Sequence, residues 1–189
     1  MTRTLRMLHV AMILIALTAA FPPPASASDE TKSAEKRAKI QQNTKEALAG
    51  LFKESPKAKE LYGKAYGYAV FSNTKVSLGL TGGGGSGEAV VKGTGAKTYM
   101  RMGTAGLNLG LGAQKYKVVF LFEDSISFKS FVDKGWQAEG GANAVAGTAG
   151  ANADPSFRQG MAVFTLTDGG LMLQADISGT KYWKSDDLN

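Results

Sequence analysis

The spacing of apolar residues along the chain changes near Tyr68. Before this point the pattern favours helices, because the segment from Glu30 to about Phe52 is built mainly from Ala, Lys, Glu and Gln, which are good helix formers. A narrow stripe at helical spacing runs along it: Ile40, Thr44, Ala47, Leu48 and Leu51. A second, short helix is predicted from Pro56 to Tyr62, with Ser55 as its N-cap and a stop at Gly63.

After Tyr68 the apolar residues recur at every second position, which is typical of β-strands. The alternation is clear from Leu107 to Ala113. The run Val118–Phe122 is continuously apolar, and this predicts a strand that is covered on both faces. Two further segments, Met161–Thr167 and Leu171–Ser178, predict a hairpin that turns at Asp168-Gly169-Gly170.

Between these strands, Ser125 is expected to cap a short helix that ends at Gly135. The small, alternating residues from Trp136 to Gly150 fit either a close-packed pair of strands or a loop. The pattern as a whole predicts an α+β fold. N-terminal helices would pack on a glycine-rich, mainly antiparallel β-sheet that is curled into a barrel-like body, since strand glycines permit tight curvature.

The glycine cluster Gly82–Gly87 matches G-x-G-x-x-G and invites a nucleotide-binding interpretation. A P-loop requires Lys and then Ser or Thr after the last glycine, whereas this chain has Glu88 and Ala89. Both nucleotide motifs also require a following helix, whose N-terminal amides hold the phosphate. The residues that follow are β-branched and strand-like. We therefore interpret the cluster as architecture, namely a tight glycine-rich turn between two strands.

The first 27 residues resemble an export signal. Arg3 and Arg6 form a positive region, Met7–Ala20 is apolar, and Ala25-Ser26-Ala27 fits the small-x-small cleavage pattern. An uncleaved membrane anchor is the alternative, but the apolar run is shorter than the roughly 20 residues that a spanning helix requires. Cleavage after Ala27 predicts one domain over residues 28–189, located in the periplasm or cell envelope.

The chemistry available to residues 28–189 is limited. The chain has no cysteine, and its one histidine, His9, lies in the predicted signal peptide. Ser-His-Asp and Cys-His nucleophile pairs are therefore excluded, as are zinc sites with histidine or thiolate ligands. Adjacent acidic pairs such as Glu123-Asp124 are more typical of solvated turns than of catalytic dyads. An enzyme that uses carboxylates or a tyrosine of the β-body is a further alternative, but we predict a protein that is not an enzyme and has no catalytic residue, cofactor or metal.

Several segments together resemble the SYLF lipid-binding domain family. AYGYAVFSNTKVSLGLTGGGGSGEAVVK is similar to the family's signature, in which a GYAVFP-like segment leads to a glycine-rich turn and a hydrophobic strand. The likeness continues through GLNLGLGAQKYKVVFLFEDSISFKSF and DGGLMLQADISGTKYW, and covers roughly Leu48 to Trp183. Ser72 departs from the pattern, since proline is usual there. The chain resembles a stand-alone, exported bacterial member.

The resemblance implies binding to lipid, with an anionic phospholipid or membrane surface as the partner. The resemblance implies a role for the N-terminal region, because eukaryotic relatives use a basic, amphipathic N-terminal region at the membrane. The segment Thr31–Lys64 of this chain holds nine basic residues against four glutamates. These residues are the candidate lipid-binding site: Lys32, Lys36, Arg37, Lys39, Lys45, Lys53, Lys57, Lys59 and Lys64. A solvated helix face is the plain alternative for them. The alternative function is a structural or protein-interaction module with an envelope protein as partner, and nucleic-acid binding is not expected.

Overall fold

The computed structural model describes residues 25–137, 155–167, 170–172 and 179–189. The described helices are α1 (Ala25–Glu54), α2 (Pro56–Lys64) and α3 (Ser125–Lys134). The described strands are β1 (Gly67–Val91), β2 (Lys97–Phe122), β3 (Trp136–Gln137), β4 (Met161–Thr167), β5 (Gly170–Met172) and β6 (Thr180–Lys184). The sheet curls into a half-barrel, so the predicted α+β fold is confirmed.

The sheet is organised around one long antiparallel hairpin. β1 pairs with β2 along nearly its whole length, from Gly67 opposite Phe122 to Val90 opposite Lys97. The other edge of β2 carries two shorter strands, since β4 pairs with its C-terminal part and β6 with its N-terminal part. β5 and β3 extend the sheet beyond β4 and β6. All of these described pairings are antiparallel.

The apolar run Val118–Phe122 separates two hydrophobic cores. Val118, Phe120 and Phe122 belong to the core beneath α3, whereas Val119 and Leu121 belong to the core beneath α1 and α2. All five side chains are fully buried. Alternate residues of a strand point to opposite faces of the sheet, so only a run without polar positions satisfies both cores. The prediction of a strand covered on both faces is therefore confirmed.

The glycine cluster lies inside β1, so the predicted glycine-rich turn is wrong. The hairpin turns instead over residues 92–96, where Gly95 has a φ of 71°. β1 folds back on itself, and a Cβ on Gly83, Gly85 or Gly87 would lie less than 3.0 Å from a backbone carbonyl oxygen of the first half of the same strand. Those oxygens belong to Thr74, Ser72 and Val70 respectively. The cluster permits a close approach of two backbones.

The predicted N-cap of α2 is confirmed, but its predicted stop at Gly63 is wrong, because α2 continues to Lys64. The Ser55 hydroxyl accepts a hydrogen bond from the Ala58 amide, as predicted for the N-cap of α2. The N-cap of α3 is Asp124 and not Ser125, because the Asp124 carboxylate accepts hydrogen bonds from two amides of the first turn. Gly135 ends α3 with a φ of 73°.

The remaining predictions are tested only in part. β4 and β5 form the predicted hairpin up to Met172, and the continuation to Ser178 lies outside the described residues. Trp136 and Gln137 form a short strand, and residues 138–150 lie outside the described part of the chain. The predicted signal peptide is outside it up to residue 24, and α1 begins at Ala25.

Candidate functional site

A cleft of about 990 Å³ lies between α1 and the sheet. α1 forms one wall, and the opposite wall is made by the two halves of β1 together with the neighbouring part of β2. Five basic residues line it, namely Lys36, Lys39, Arg101, Lys115 and Lys117. Two carboxylates, those of Glu46 and Asp187, line it as well. The cleft is therefore the place where cations from separate elements meet, and its lining carries net positive charge.

The strand period explains why lysines of β2 reach this cleft. Lys115, Lys117 and Val119 are two residues apart, so their side chains share one face of the sheet. Val119 packs in the core beneath α1, which identifies that face. The Lys117 ammonium contacts the Glu46 carboxylate of α1 at 3.1 Å. The face of β2 beneath α1 is therefore apolar at Val119 and basic at Lys115 and Lys117.

Helical spacing brings Lys36, Lys39 and Asn43 to the same cleft. They stand three and four residues apart, so they occupy neighbouring positions on one side of α1. Ile40 and Ala47 on the same side are buried, and they hold α1 against the rest of the molecule. The apolar residues of this side of α1 therefore pack against the rest of the molecule, and the polar residues between them line the cleft.

Both carboxylates of the cleft are already engaged by cations. Asp187 accepts from the Arg101 guanidinium at 2.5 Å and from the Ser185 hydroxyl at 2.6 Å, and the Lys36 ammonium lies 3.7 Å away. Glu46 is paired with Lys117, and a hydrogen bond from Gln42 is the main cause of its lowered pKa. Neither carboxylate is left to neutralise the other cations of the cleft.

Among the described residues, Lys39 and Lys115 are the two cations of the cleft without a partner. Within the described part of the chain, neither ammonium has a hydrogen bond or an ion pair. Ser72, which lies opposite Lys117 in the pairing of β1 with β2, also has a buried hydroxyl without a hydrogen-bond partner among the described residues. Buried polar atoms normally have a hydrogen-bond partner, and exceptions often mark a place for a ligand, ion or water.

Trp183 adds an exposed aromatic ring at the cleft. It lies opposite Arg101 in the pairing of β2 with β6, so both side chains are on the same face. Its indole packs over the backbone of Gly103, yet the residue stays 38% exposed. The cleft therefore combines cations with one large apolar ring that reaches solvent.

The nine basic residues predicted from the sequence occupy three different environments. Lys36 and Lys39 line the cleft. Arg37 is used structurally, since its guanidinium donates to the Leu188 carbonyl at 2.8 Å and lies over the Tyr99 ring. The other six are exposed and do not line the cleft: Lys32, Lys45, Lys53, Lys57, Lys59 and Lys64. The structure brings together two of the nine.

Other lining residues were not identified from the sequence. The cations of β2 are Arg101, Lys115 and Lys117, and the polar contributions come from Asn43 and Ser72. One signal was present, because Lys115 and Lys117 alternate with Tyr116 directly before the buried run of β2. The alternation places both lysines on one face, but only the structure shows that this face lies beneath α1.

The pKa of Asp187 offers a test of this end of the cleft. The hydrogen bond from Ser185, followed by that from Arg101, lowers the pKa from its ordinary value of 3.8 to about 2. Because the folded-state pKa is depressed, these contacts stabilise the fold above pH 3.8 and are lost as the pH falls through about 2. We expect an NMR titration of the Asp187 carboxyl carbon to give a midpoint near 2, and Arg101→Gln to raise it. A midpoint near 3.8 in the unmodified protein would contradict the contact.

The described residues show neither a metal site nor a membrane-spanning helix. Within these ranges, no group of three or more histidine, cysteine, aspartate or glutamate side chains could hold a metal ion. No described helix is both long enough and apolar enough to cross a membrane.

Comparison with known proteins shows a similarity that covers most of this chain. No protein-family model matches the chain. The chain is similar to beta cell expansion factor A of Aeromonas veronii, with 46% identity over 155 residues. The aligned region covers 81% of this chain and 59% of the relative, so the chain spans less than two thirds of that protein's length. The name of the relative specifies no ligand.

Proposed function

We propose that this chain is an exported, non-enzymatic lipid-binding protein that docks on anionic phospholipid surfaces through the cleft between α1 and the sheet. The observation that carries this proposal is that Lys39 from α1 and Lys115 from β2 line the same cleft, and that neither ammonium has a partner among the described residues. Unpaired cations that line a common open space form a site for an anionic group. The resemblance to the SYLF family supports lipid as the source of that group.

Electrostatics favours a membrane surface over an isolated soluble anion. Cleavage after Ala27 removes Arg3 and Arg6 and leaves 20 Lys and Arg residues against 16 Asp and Glu, a net charge of +4, and basic residues are concentrated in α1 and α2. Each basic residue near an anionic bilayer contributes about 1 kcal/mol within a Debye length of the surface. The six exposed lysines outside the cleft would therefore strengthen docking without recognising any one lipid molecule.

Trp183 gives the cleft a second property that suits a bilayer. Tryptophan is enriched at membrane–water interfaces, because its ring is apolar but carries one hydrogen-bond donor. Its ring is partly exposed beside Arg101, whose guanidinium is bound to Asp187, so the ring itself is the group on this face that can contact acyl chains. A partly exposed ring beside a basic cleft suits the boundary between head groups and acyl chains.

The proposal predicts that Lys39→Gln/Lys115→Gln weakens vesicle binding about thirtyfold at low salt. Removing two cations costs about 2 kcal/mol at roughly 1 kcal/mol each. Co-sedimentation of the purified protein with vesicles of phosphatidylglycerol and phosphatidylcholine measures the loss. Unmodified protein is expected to sediment with the anionic vesicles at low salt and to be released at high salt.

A matched double variant separates the cleft from general charge. Lys53→Gln/Lys59→Gln removes the same charge from exposed positions outside the cleft, and we expect it to weaken binding less. Equal losses in the two variants would mean that the whole basic N-terminal region docks without a special role for the cleft. Equal recovery of unmodified protein on anionic and neutral vesicles at low salt would refute docking, and would favour a protein-interaction module of the envelope.

A further inference from the structure

Building on the proposed function, we infer that one end of the cleft is a binding site for the phosphate of an anionic lipid, and that Asp187 fills it as an internal ligand until lipid displaces the carboxylate. Three groups form this phosphate site, namely the Arg101 guanidinium, the Lys36 ammonium and the Ser185 hydroxyl. Docking by charge alone requires no such site, so the two can be tested separately.

The contacts of Asp187 show that these groups converge on one anion. Its Oδ1 atom accepts from the Arg101 guanidinium at 2.5 Å and from the Ser185 hydroxyl at 2.6 Å. Arg101 Nε also donates to the Ser185 oxygen at 3.2 Å, so the hydroxyl hydrogen is free to point at the anion. The Lys36 ammonium lies 3.7 Å from Oδ2. Ser185 is only 1% exposed, and the fold therefore fixes its position.

A lipid phosphate suits the same donors and can reach them. Guanidinium groups bind phosphate and carboxylate oxygens with the same paired N–H donors, and an ammonium adds a point charge. The side chains of Arg101 and Lys36 are 48% and 60% exposed, so both are open to solvent. Ion pairs as exposed as these contribute little to stability, so one anion can replace another.

Asp187 can leave the site while its neighbours stay in place. It lies in the turn that follows β6. Leu188 is buried in a cluster with Ile40 and Tyr99, and the Asn189 side chain bonds both backbone groups of Tyr99. Rotation of the Asp187 side chain toward solvent therefore vacates the site without unfolding this turn.

Trp183 favours a lipid over a free phosphate as the ligand. It lies opposite Arg101 in the pairing of β2 with β6 and is 38% exposed. A phosphate bound to Arg101 would therefore lie beside an apolar ring on the same face of the sheet. A lipid has an apolar part that the ring can contact, whereas inorganic phosphate has none.

Removal of the internal ligand tests the site against a neighbouring carboxylate of equal charge. Asp186 is exposed, and among the described residues its carboxylate has neither a hydrogen bond nor an ion pair. We expect Asp187→Ala to bind phosphatidylglycerol vesicles at least about fivefold more tightly than Asp186→Ala, because it also makes a basic residue available to the bilayer. Co-sedimentation at low salt measures both. Equal affinities of the two variants would overturn the inference and leave the proposed docking intact.

A double variant shows whether the gain depends on Arg101. Arg101→Gln/Asp187→Ala carries the same net charge as the unmodified protein, and we expect it to lose the whole gain of Asp187→Ala. A gain that persists without Arg101 would show that Asp187 opposes docking by its charge alone, which overturns the site. Failure of the unmodified protein and of every variant to bind anionic vesicles would overturn docking itself.

The unmodified protein gives an independent test that also identifies the source of the phosphate. Short-chain phosphatidylglycerol is expected to shift the carbon-13 NMR resonance of the Asp187 carboxylate at neutral pH, because the carboxylate leaves Arg101. Inorganic phosphate at equal ionic strength is expected to act about tenfold more weakly, since it buries no apolar surface against Trp183. Equal effects would assign the site to a free phosphate. An unchanged resonance in lipid-bound protein would overturn the displacement.

Discussion

Replacing Gly87 by alanine is expected to lower the free energy of unfolding by about 3 kcal/mol. A Cβ at this position would meet the Val70 carbonyl oxygen and the Phe71 ring far inside van der Waals contact. The obstacle includes backbone of a buried strand, which cannot rotate away as a flexible side chain can. Overpacking of a well-packed interior typically costs about 1–3 kcal/mol, and a backbone clash belongs at the upper end. Urea denaturation followed by circular dichroism measures the shift in midpoint.

The same cluster supplies the control for this prediction. A Cβ on Gly82 would meet nothing within 4 Å, and one on Gly84 would make only an ordinary contact at 3.7 Å. Gly82→Ala and Gly84→Ala are therefore expected to change stability by less than about 0.5 kcal/mol. Equal tolerance of alanine at Gly82 and Gly87 would show that β1 does not fold back as closely as described. A lower stability of Gly87→Ala than of Gly82→Ala would show that the fold requires glycine at alternate positions of the cluster and not simply a high glycine content.

This alternation explains why the sequence revealed only part of the role of the cluster. Glu88 and the strand-like residues after it are enough to exclude phosphate binding from the sequence. The interpretation as a turn was wrong because a run of glycines is common in turns, and nothing local shows that β1 continues through it. The requirement for glycine comes from residues 70–74, which are separate in sequence and approach only when the hairpin bends.

Elements with strong local patterns were predicted well. The helical stripe of α1, the cap of α2 and the doubly buried run of β2 depend on periodicity and on capping chemistry, which are local properties. The N-cap of α3 was misplaced by one residue, because Asp124 and Ser125 are both good capping residues and stand next to each other. Sequence alone does not decide which of them takes the non-helical backbone.

The candidate site was less predictable, because it is assembled from elements that are distant in sequence. Lys36 and Lys39 were predicted from the basic composition of α1, yet composition does not distinguish them from Arg37, which is tied to the Leu188 carbonyl. The alternation of residues along β2 shows that Lys115 and Lys117 share one face of the sheet. The helix that covers this face, α1, ends more than 60 residues earlier in the chain. The basic composition was enough to identify α1 as part of the site. Which of its basic residues line the cleft depends on tertiary packing, which the sequence does not show.

Replacing Phe120 by alanine is expected to cost about 3–5 kcal/mol of unfolding free energy. The ring is fully buried and stands at the centre of the core beneath α3. Its aromatic neighbours are Phe71, Phe122, Phe131, Trp136 and Tyr182, with ring centroids 4.9–6.3 Å away. These neighbours belong to β1, β2, α3, β3 and β6, so a cavity here would weaken contacts between most of the structural elements. Thermal unfolding followed by near-ultraviolet circular dichroism reports both stability and aromatic packing.

Ile126→Ala is the matched control, since it removes a large apolar side chain from α3 at a position that is 80% exposed. We expect this variant to stay within about 0.5 kcal/mol of the unmodified protein, because little apolar surface is lost from the interior. A comparable loss in the two variants would mean that Phe120 is not surrounded as the structure shows. Because Phe120 lies on the face of β2 opposite Lys115 and Lys117, folded Phe120→Ala protein should keep its vesicle affinity. Loss of docking at a temperature where the variant remains folded would instead show that the α3 core positions the cations of the cleft.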